Sequence, residues 1–421
     1  MLNALIHSWQ KYPWRWYLGL TLLIRLLYAL TIIPWMWEGD AGAYVEVARE
    51  WMEGSSGDFY WPPGLPALLI LFFSVLGVHK LSSLSLMLVG WCLWVGLMFL
   101  LLKNRTISKL GWGALWVFGI WPAWIHHSVV PLTHLWGSIG LLGILYFLLR
   151  KNDLLAGACV LGAILIRPSS VLLLPVLVIF LFMRKENRLR SIRFALIPLL
   201  GIIAWQFFLY QQTGETFFIN KANSYNLYLG NHPETPLYRT WWLGSHSEEW
   251  DRFPVFQAEV DSIRTLPIEA QQQAYRQLSL KHIAENPGQF LIRSLNRIRT
   301  FWAFDSFTGA WWYGKNKPIG MVLLGLDAGC YLLLITGVLF FWKPVYEWEN
   351  IQWMSVILIL FYSIPYYLAF SHPTYHFAVM PLFYFLGEWN KKPSMNLTKW
   401  VVLFLLIGIQ LEWIYHMFSS L

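Results

Sequence analysis

The sequence predicts an all-α polytopic membrane protein, and three observations carry that prediction. Of its 421 residues, 57% are hydrophobic and 13% charged, with a mean hydropathy of +0.47, a balance that soluble domains of this length do not show. The apolar residues come in continuous runs of helical spanning length, unlike the alternating segments of about ten residues in a membrane barrel. The 27 Trp and 20 Tyr residues suit the interfacial belts of a bilayer.

Taken in order, spanning helices are expected at Trp16–Trp35, Leu84–Leu102, Trp112–Ile125, Val129–Leu149, Leu154–Ile166, Ser170–Met183 and Ile192–Tyr210. A long polar insert follows, then further spans at Ile319–Trp342, Ile351–Phe370, Tyr375–Trp389 and Leu397–Phe418. That gives about 11 spans. Short basic loops face the cytoplasm, which puts Lys103–Lys109, Arg150 with Lys151, Arg184–Arg193, Lys343, and Lys391 with Lys392 on the inside. These agree with one another only if the apolar run Leu65–Leu76 does not cross. Residues 37–83 then form one outside loop with two juxtamembrane helices, one starting near Asp40 as its N-cap, the other after Pro63 and Gly64. The same reasoning puts the C-terminus outside.

The formal charge of +8 lies in runs between apolar segments, a topology signal that gives no reason to expect nucleic acid as a partner. Cys92, Cys159 and Cys330 sit inside apolar runs and give neither a disulfide framework nor a zinc spacing. Lys11 and Arg15 precede an apolar run without a small-residue cleavage site, so the first segment reads as a retained anchor. The chain divides into an N-terminal membrane module at 1–210, an outside polar subdomain at 211–318 and C-terminal spans at 319–421. The middle part carries 11 Lys or Arg and 10 Asp or Glu, so it is polar and nearly neutral.

Two places carry candidate chemistry. At Glu38 to Pro66 an acidic stretch abuts the end of the first apolar segment, and a carboxylate at a bilayer boundary is a functional candidate by default. Asp40 leads as a general base that deprotonates an acceptor hydroxyl, with Glu38 and Asp58 behind it. A divalent cation held by these carboxylates is compatible with glycosyl transfer, although no metal-ligand set is legible. Against this, Asp40 could be only a helix cap. Leu154–Ile166 is the second place: 13 residues, about 20 Å of helix against a core of about 30 Å. Arg167-Pro168 follows directly. A charge this deep survives where the loop lines a cavity, so Arg167 is expected near the floor of a funnel, a fixed guanidinium for a leaving phosphate. Its bland alternative is a snorkelling side chain.

Around that funnel His126, His127, His372 and His376 serve as polar lining, with a zinc site the lesser reading. Arg25, within the first span, is expected to pair with Asp327. The segment Lys221–Pro233 (KANSYNLYLGNHP) is rich in amide and aromatic side chains, which favour sugar rings but equally suit a plain loop. Leu291, Leu295, Ile298 and Trp302 share one helix face. Arg293 and Arg297 lie on another, so the helix is expected in the interface with its arginines near lipid phosphates.

Several segments then resemble a family. Asp40 and Tyr44, WPPGLP at Trp61–Pro66, GAILIRP at Gly162–Pro168, YNLYLGN at Tyr225–Asn231, AENPGQF at Ala284–Phe290 and TYHFAVMP at Thr374–Pro381 follow one another as in the C-type (GT-C) membrane glycosyltransferases. The resemblance is to the branch of the protein O-mannosyltransferases and lipid A aminoarabinose transferases. It implies an inverting enzyme that takes a sugar from a polyprenyl phosphate and passes it to a lipid, glycan or protein acceptor on the outer side. Asp40 would be the base. Arg167 would hold the donor phosphate, with Lys221, Arg293 and Arg297 as further cations. Glu38, Tyr44, Trp61, Tyr225, Asn231, Tyr375 and the four histidines would line the cavity. Two departures stand out: His134 replaces a carboxylate in PLTHLW, and Thr374 replaces an arginine before the Tyr-His pair.

The sequence reading is therefore a polyprenyl-phosphate-dependent glycosyltransferase of a bacterial inner membrane with its site facing outside. A transporter or flippase of lipid-linked saccharides is the rival, but it would more naturally show paired broken helices and access to both sides. A scaffold would leave Asp40 and Arg167 unexplained.

Overall fold

The structure, a computed structural model, describes residues 11–55, 59–183, 188–215, 217–238, 253–393 and 396–418. Asp58 and residues 184–187 of the basic cluster lie outside the described residues. The helices are α1 (Pro13–Ile32), α2 (Asp40–Met52), α3 (Gly64–Leu76), α4 (Lys80–Leu102), α5 (Lys109–Ile120), α6 (Pro122–His127), α7 (Thr133–Leu149), α8 (Asp153–Ile166) and α9 (Leu173–Met183). They continue with α10 (Leu189–Thr213), α11 (Ala222–Asn231), α12 (Pro254–Arg264), α13 (Ile268–Glu285), α14 (Pro287–Phe301), α15 (Phe307–Lys315), α16 (Lys317–Phe340), α17 (Asn350–Leu368) and α18 (Leu397–Phe418). Among the described residues β pairing is confined to one isolated bridge, Trp342 to Gly387.

Six stretches are long and apolar enough to cross a membrane: α1 with its extension to Trp35, α4, α10, α16, α17 and α18. Four more apolar helices are shorter, namely α3, α7, α8 and the run Pro168–Met183. The composition thus folds as expected for an all-α membrane protein. Local sequence sets several starts: Ser108 caps α5 on Gly111, Asn152 caps α8 on Leu155, Asn316 caps α16 on Ile319, and Glu349 with Gln352 forms a capping box on α17. The short helices pack through small residues, which let backbones approach. A Cβ on Gly140 would stand 3.2 Å from Ala163, and one on Gly157 only 2.3 Å from the Phe194 carbonyl.

The bundle has two chemically distinct ends. At one, Arg105 and Lys343 both pair with Glu349, Lys343 and Lys391 approach Glu388, and Arg190 binds Asp153. The short basic loops therefore gather around a common carboxylate network. At the other end, where α1 stops and α4 starts, Lys80 bonds the Pro34 carbonyl and Trp37 bonds Ser83. The two helices expected in the first loop, α2 and α3, both lie here. Gly64 at the start of α3 abuts the Leu165–Ile166 backbone, and the chain leaves α3 through Gly77 directly into α4.

Three expectations need correction. The span expected over Trp112–Ile125 is broken at Trp121, because Pro122 forces the preceding residue out of the helical region; Trp121 sits at φ −64°, ψ 116°. Two buried polar side chains occupy that break. Arg25 donates to the Phe118 and Gly119 carbonyls at the end of α5, to Thr21 and to Ser128, while Asp327 accepts from the Ala123 amide at the start of α6. The expected Arg25–Asp327 pair is replaced by two helix-end contacts, a donor at the carbonyl end of α5 and an acceptor at the amide end of α6.

Tyr375–Trp389, expected as a span, is not a regular helix. It consists of 3-10 turns at Tyr375–Ala378 and Tyr384–Leu386 around one helical turn at Met380–Phe383. It still runs the length of α17: Tyr375 lies against Tyr366 near the end of that helix, whereas Gln352 in its first turn bonds the Phe385 carbonyl. From Phe377 to Leu386 only Phe383 is not fully buried. Irregular backbone at this depth is tolerated because protein surrounds it.

The third correction is the orientation of α14. Arg293 and Arg297 are buried, while Leu291, Ile292, Leu295 and Ile298 are exposed, so the arginines expected near lipid phosphates face the protein instead. The polar face is drawn inward by carbonyls. Arg293 donates to Pro233 and Thr235, and Arg297 to Gly230, Leu368 and the Asn231 side chain. Beyond α14, a small core of Tyr228, Phe256, Val260 and Tyr275 joins α11, α12 and α13.

Candidate active site

Asp40 opens α2, and the residue before it sets its place. Gly39 adopts φ +60° and is itself the N-cap, so Asp40 is not the cap expected from sequence but the first helical residue, exposed, near the positive end of the helix. Tyr44 is one turn further on the same face. It is buried, packs its ring 4.9 Å from Trp61 and meets the Thr133 side chain. Two left-handed residues lie in the segments that meet just before Trp61, Phe59 (φ 52°) and Ile219 (φ 59°). The Phe59 carbonyl accepts from the Lys221 amide and the Tyr60 carbonyl from Asn220. Left-handed backbone at two bulky residues stores strain that persists only where the surroundings enforce it.

Arg167 leaves the end of α8 in extended backbone (φ −142°, ψ 100°), as a residue before proline must. A 3-10 turn, Pro168–Leu172, then carries the chain into α9. The side chain is 7% exposed. Its Nη1 donates to the Tyr366 hydroxyl at 3.2 Å, and its guanidinium lies 4.9 Å from the Tyr375 ring centre. Ser169 donates to the same hydroxyl at 2.6 Å, and Tyr366 leads on to Tyr362 at 3.4 Å. Arg167 and Asp40 both lie within electrostatic reach of Tyr44 and Tyr375. The structure therefore brings together residues 40, 44, 167 and 375, separated by up to 335 positions in sequence.

Near Arg167 lies a group of histidines, of which His127, His134, His372 and His376 are buried and His126 half-buried. His127 Nε2 stands 3.3 Å from Asp305 Oδ2, and its ring stacks on His134 with centres 4.2 Å apart. Burial alone would push the Asp305 carboxyl up, but His127, the Phe307 amide and the Thr308 hydroxyl outweigh it and hold it below the usual carboxylate range. His376 is buried and bonds the Phe301 carbonyl through Nδ1 at 2.8 Å. His372 pairs with the Thr374 hydroxyl at 2.8 Å, which gives the threonine at the departure from the family pattern a local role. His126 faces the Tyr28 hydroxyl at 2.8 Å. Among the described residues no group of three or more His, Cys, Asp or Glu is arranged to hold a metal ion.

The remaining expected site residues are placed differently. Glu38 is exposed and engaged by Lys315 at 3.2 Å and by Trp311 Nε1 at 3.2 Å, so it ties the first loop to α15. Tyr225 packs on Tyr275, and Asn231 is buried, bonding the Leu227 and Leu368 carbonyls. Arg293 and Arg297 donate from their terminal nitrogens to backbone carbonyls, which joins α11, α14 and α17, while the Nε of each is buried without a hydrogen-bond partner among the described residues. Sequence reading missed Tyr362, Tyr366, Thr133, Gly137 and Asp305. The aromatic cluster around Pro365, within the expected span Ile351–Phe370, was the available signal for the tyrosines. Comparison with protein-family models, curated proteins and solved structures finds no match to this chain.

Proposed function

We propose that the chain is an inverting glycosyltransferase of the C-type membrane fold, moving a sugar from a polyprenyl-phosphate donor to an acceptor hydroxyl on a lipid, glycan or protein. One observation carries the reading: Asp40 and Arg167 both lie within electrostatic reach of the same two tyrosines, Tyr44 and Tyr375. The reaction asks for a base on one side of the sugar and a fixed cation on the other. The acceptor oxygen bonds the anomeric carbon as the carbon–oxygen bond to the phosphate breaks, with inversion at that carbon. Asp40 takes the acceptor proton. Arg167 donates to the phosphate oxygens as their charge rises, in a buried setting where such bonds are strong.

Tyr366 and Ser169 hold the guanidinium in place, so little reorganisation is needed when charge develops. Glu38 could share a divalent cation with Asp40 only by giving up Lys315 and Trp311. The eleven-span arrangement, the bacterial inner membrane and the outward-facing site belong to the same reading.

Mass spectrometry of cell-envelope glycans with and without the gene tests it. Loss of one sugar from one glycan class supports transfer and names donor and acceptor class together. Unchanged linkages with lipid-linked saccharide retained on the cytoplasmic side would instead identify a carrier.

A further inference from the structure

Beside Arg167 the protein buries more hydrogen-bonding capacity than it uses. His134, 7% exposed, has both ring nitrogens buried without a hydrogen-bond partner among the described residues, and Arg167 Nε and His127 Nδ1 share that condition. A buried imidazole with nothing to bond is costly, and native structures seldom leave one so. The ring is also fixed. It stacks on His127 at 28° between planes, His127 meets Asp305, and Asp305 accepts from the Phe307 amide at 2.7 Å and the Thr308 hydroxyl at 2.9 Å.

His134 and Arg167 share one surface of α7. Gly137 lies three residues after His134, hence on the same face, and a Cβ there would stand 3.6 Å from Arg167 Cδ. That is ordinary van der Waals contact, so the arginine stem packs along this face of α7. The charged and titratable groups that act most strongly on His134 are His127 and His126 from α6, Arg167 after α8, and His372 from the loop after α17. None of these is a carboxylate. Fixed, unpartnered donors beside a guanidinium suit an anion.

We propose that His134 is a second anion-binding residue of this site, donating a ring N–H to the phosphate that Arg167 holds, with His127 and Asp305 as positioning residues. The inference rests on the donor reading above. A sugar phosphodiester has a pair of non-bridging oxygens, one for the guanidinium and one for the imidazole, and the pair fixes the orientation of the leaving group as one contact cannot.

Undecaprenyl phosphate binding to the purified full-length protein in phosphatidylcholine nanodiscs, where no anionic lipid competes, tests it through tryptophan fluorescence. His134→Ala should weaken binding about tenfold or more. His134→Gln keeps an N–H donor and should recover most of the loss. Asp305→Ala should weaken binding by a smaller factor, and Asp305→Asn, which keeps an acceptor for the His127 ring, should restore it. If the His134 variants melt early, His127→Phe keeps the stack but severs Asp305 and should weaken binding likewise. Wild-type affinity in His134→Ala alongside a loss in Arg167→Ala would overturn the role of His134 and leave the donor reading intact. No binding by the wild type would overturn both.

Discussion

Arg167 owes its surroundings to the residue after it. Pro168 ends α8 early, holds Arg167 in extended backbone and swings the guanidinium toward the last turn of α17, where Tyr366 accepts it. Lysine at this position would keep the charge but present a single ammonium to a site that now receives a planar fork. Arg167→Lys is therefore expected to raise the donor KM roughly tenfold while the melting temperature stays near wild type; an unchanged KM in Arg167→Ala would remove the residue from donor binding. Asp40 and Arg167 were legible in the sequence because ionisable groups at a membrane boundary and beside a helix break are rarely idle. Tyr366 and Asp305 were not. Their importance lies in which distant side chain each one meets, and no local pattern encodes that.

At the scale of elements, α14 shows why periodicity alone misleads. Its apolar stripe and its arginines were correctly assigned to opposite faces, but burial went to the arginines, because the Gly230 and Leu368 carbonyls need donors and Gly230 leaves room for one. A Cβ at Gly230 would fall 1.7 Å from the Ala369 carbonyl oxygen. The break between α5 and α6 escapes for a related reason: Pro122 is visible, yet the side chains that cap the break, Arg25 and Asp327, come from α1 and α16. Where α11 turns away beneath α13, burial pushes the His232 imidazole down to about 4, with His282 and Arg293 adding to that and Glu234 opposing it; Glu259 also approaches His232. A histidine with a depressed folded pKa binds fewer protons than the unfolded chain between that value and its ordinary one near 6.5. Stability is thus complete above about pH 6.5 and falls as the pH drops toward 4. Melting of the detergent-solubilised protein should show this loss, and His232→Gln should flatten it; an equal pH slope in both proteins would assign the effect elsewhere.

At the scale of the molecule, the helical class and the six helices long and apolar enough to cross a membrane follow from apolar runs that are long and uninterrupted, while the irregular Tyr375–Trp389 segment escapes because buried turns need no helical period. The two ends of the bundle are set by charge. Basic loops collect around Glu349 and Glu388 at one end, and α2 and α3 stay together at the other. Cysteines placed at Glu53 and Val78 in a background without Cys92, Cys159 and Cys330 should label from one side of membrane vesicles; opposite sides would mean that α3 crosses. Val78 is used because Gly77 holds φ +86°, where a side chain would be strained. The proposed reaction turns on the carboxylate that opens α2, Asp40. Asp40→Asn preserves shape while removing basicity, and since Gly39 supplies the cap, the helix should not depend on the charge. Transfer from polyprenyl-phosphate sugar to an acceptor extract, measured with purified proteins of matched thermal stability, should fall by about 10² to 10⁴-fold in Asp40→Asn, with undecaprenyl phosphate binding retained. Transfer at close to the wild-type rate would contradict the account and leave Asp40 an ordinary first-turn carboxylate.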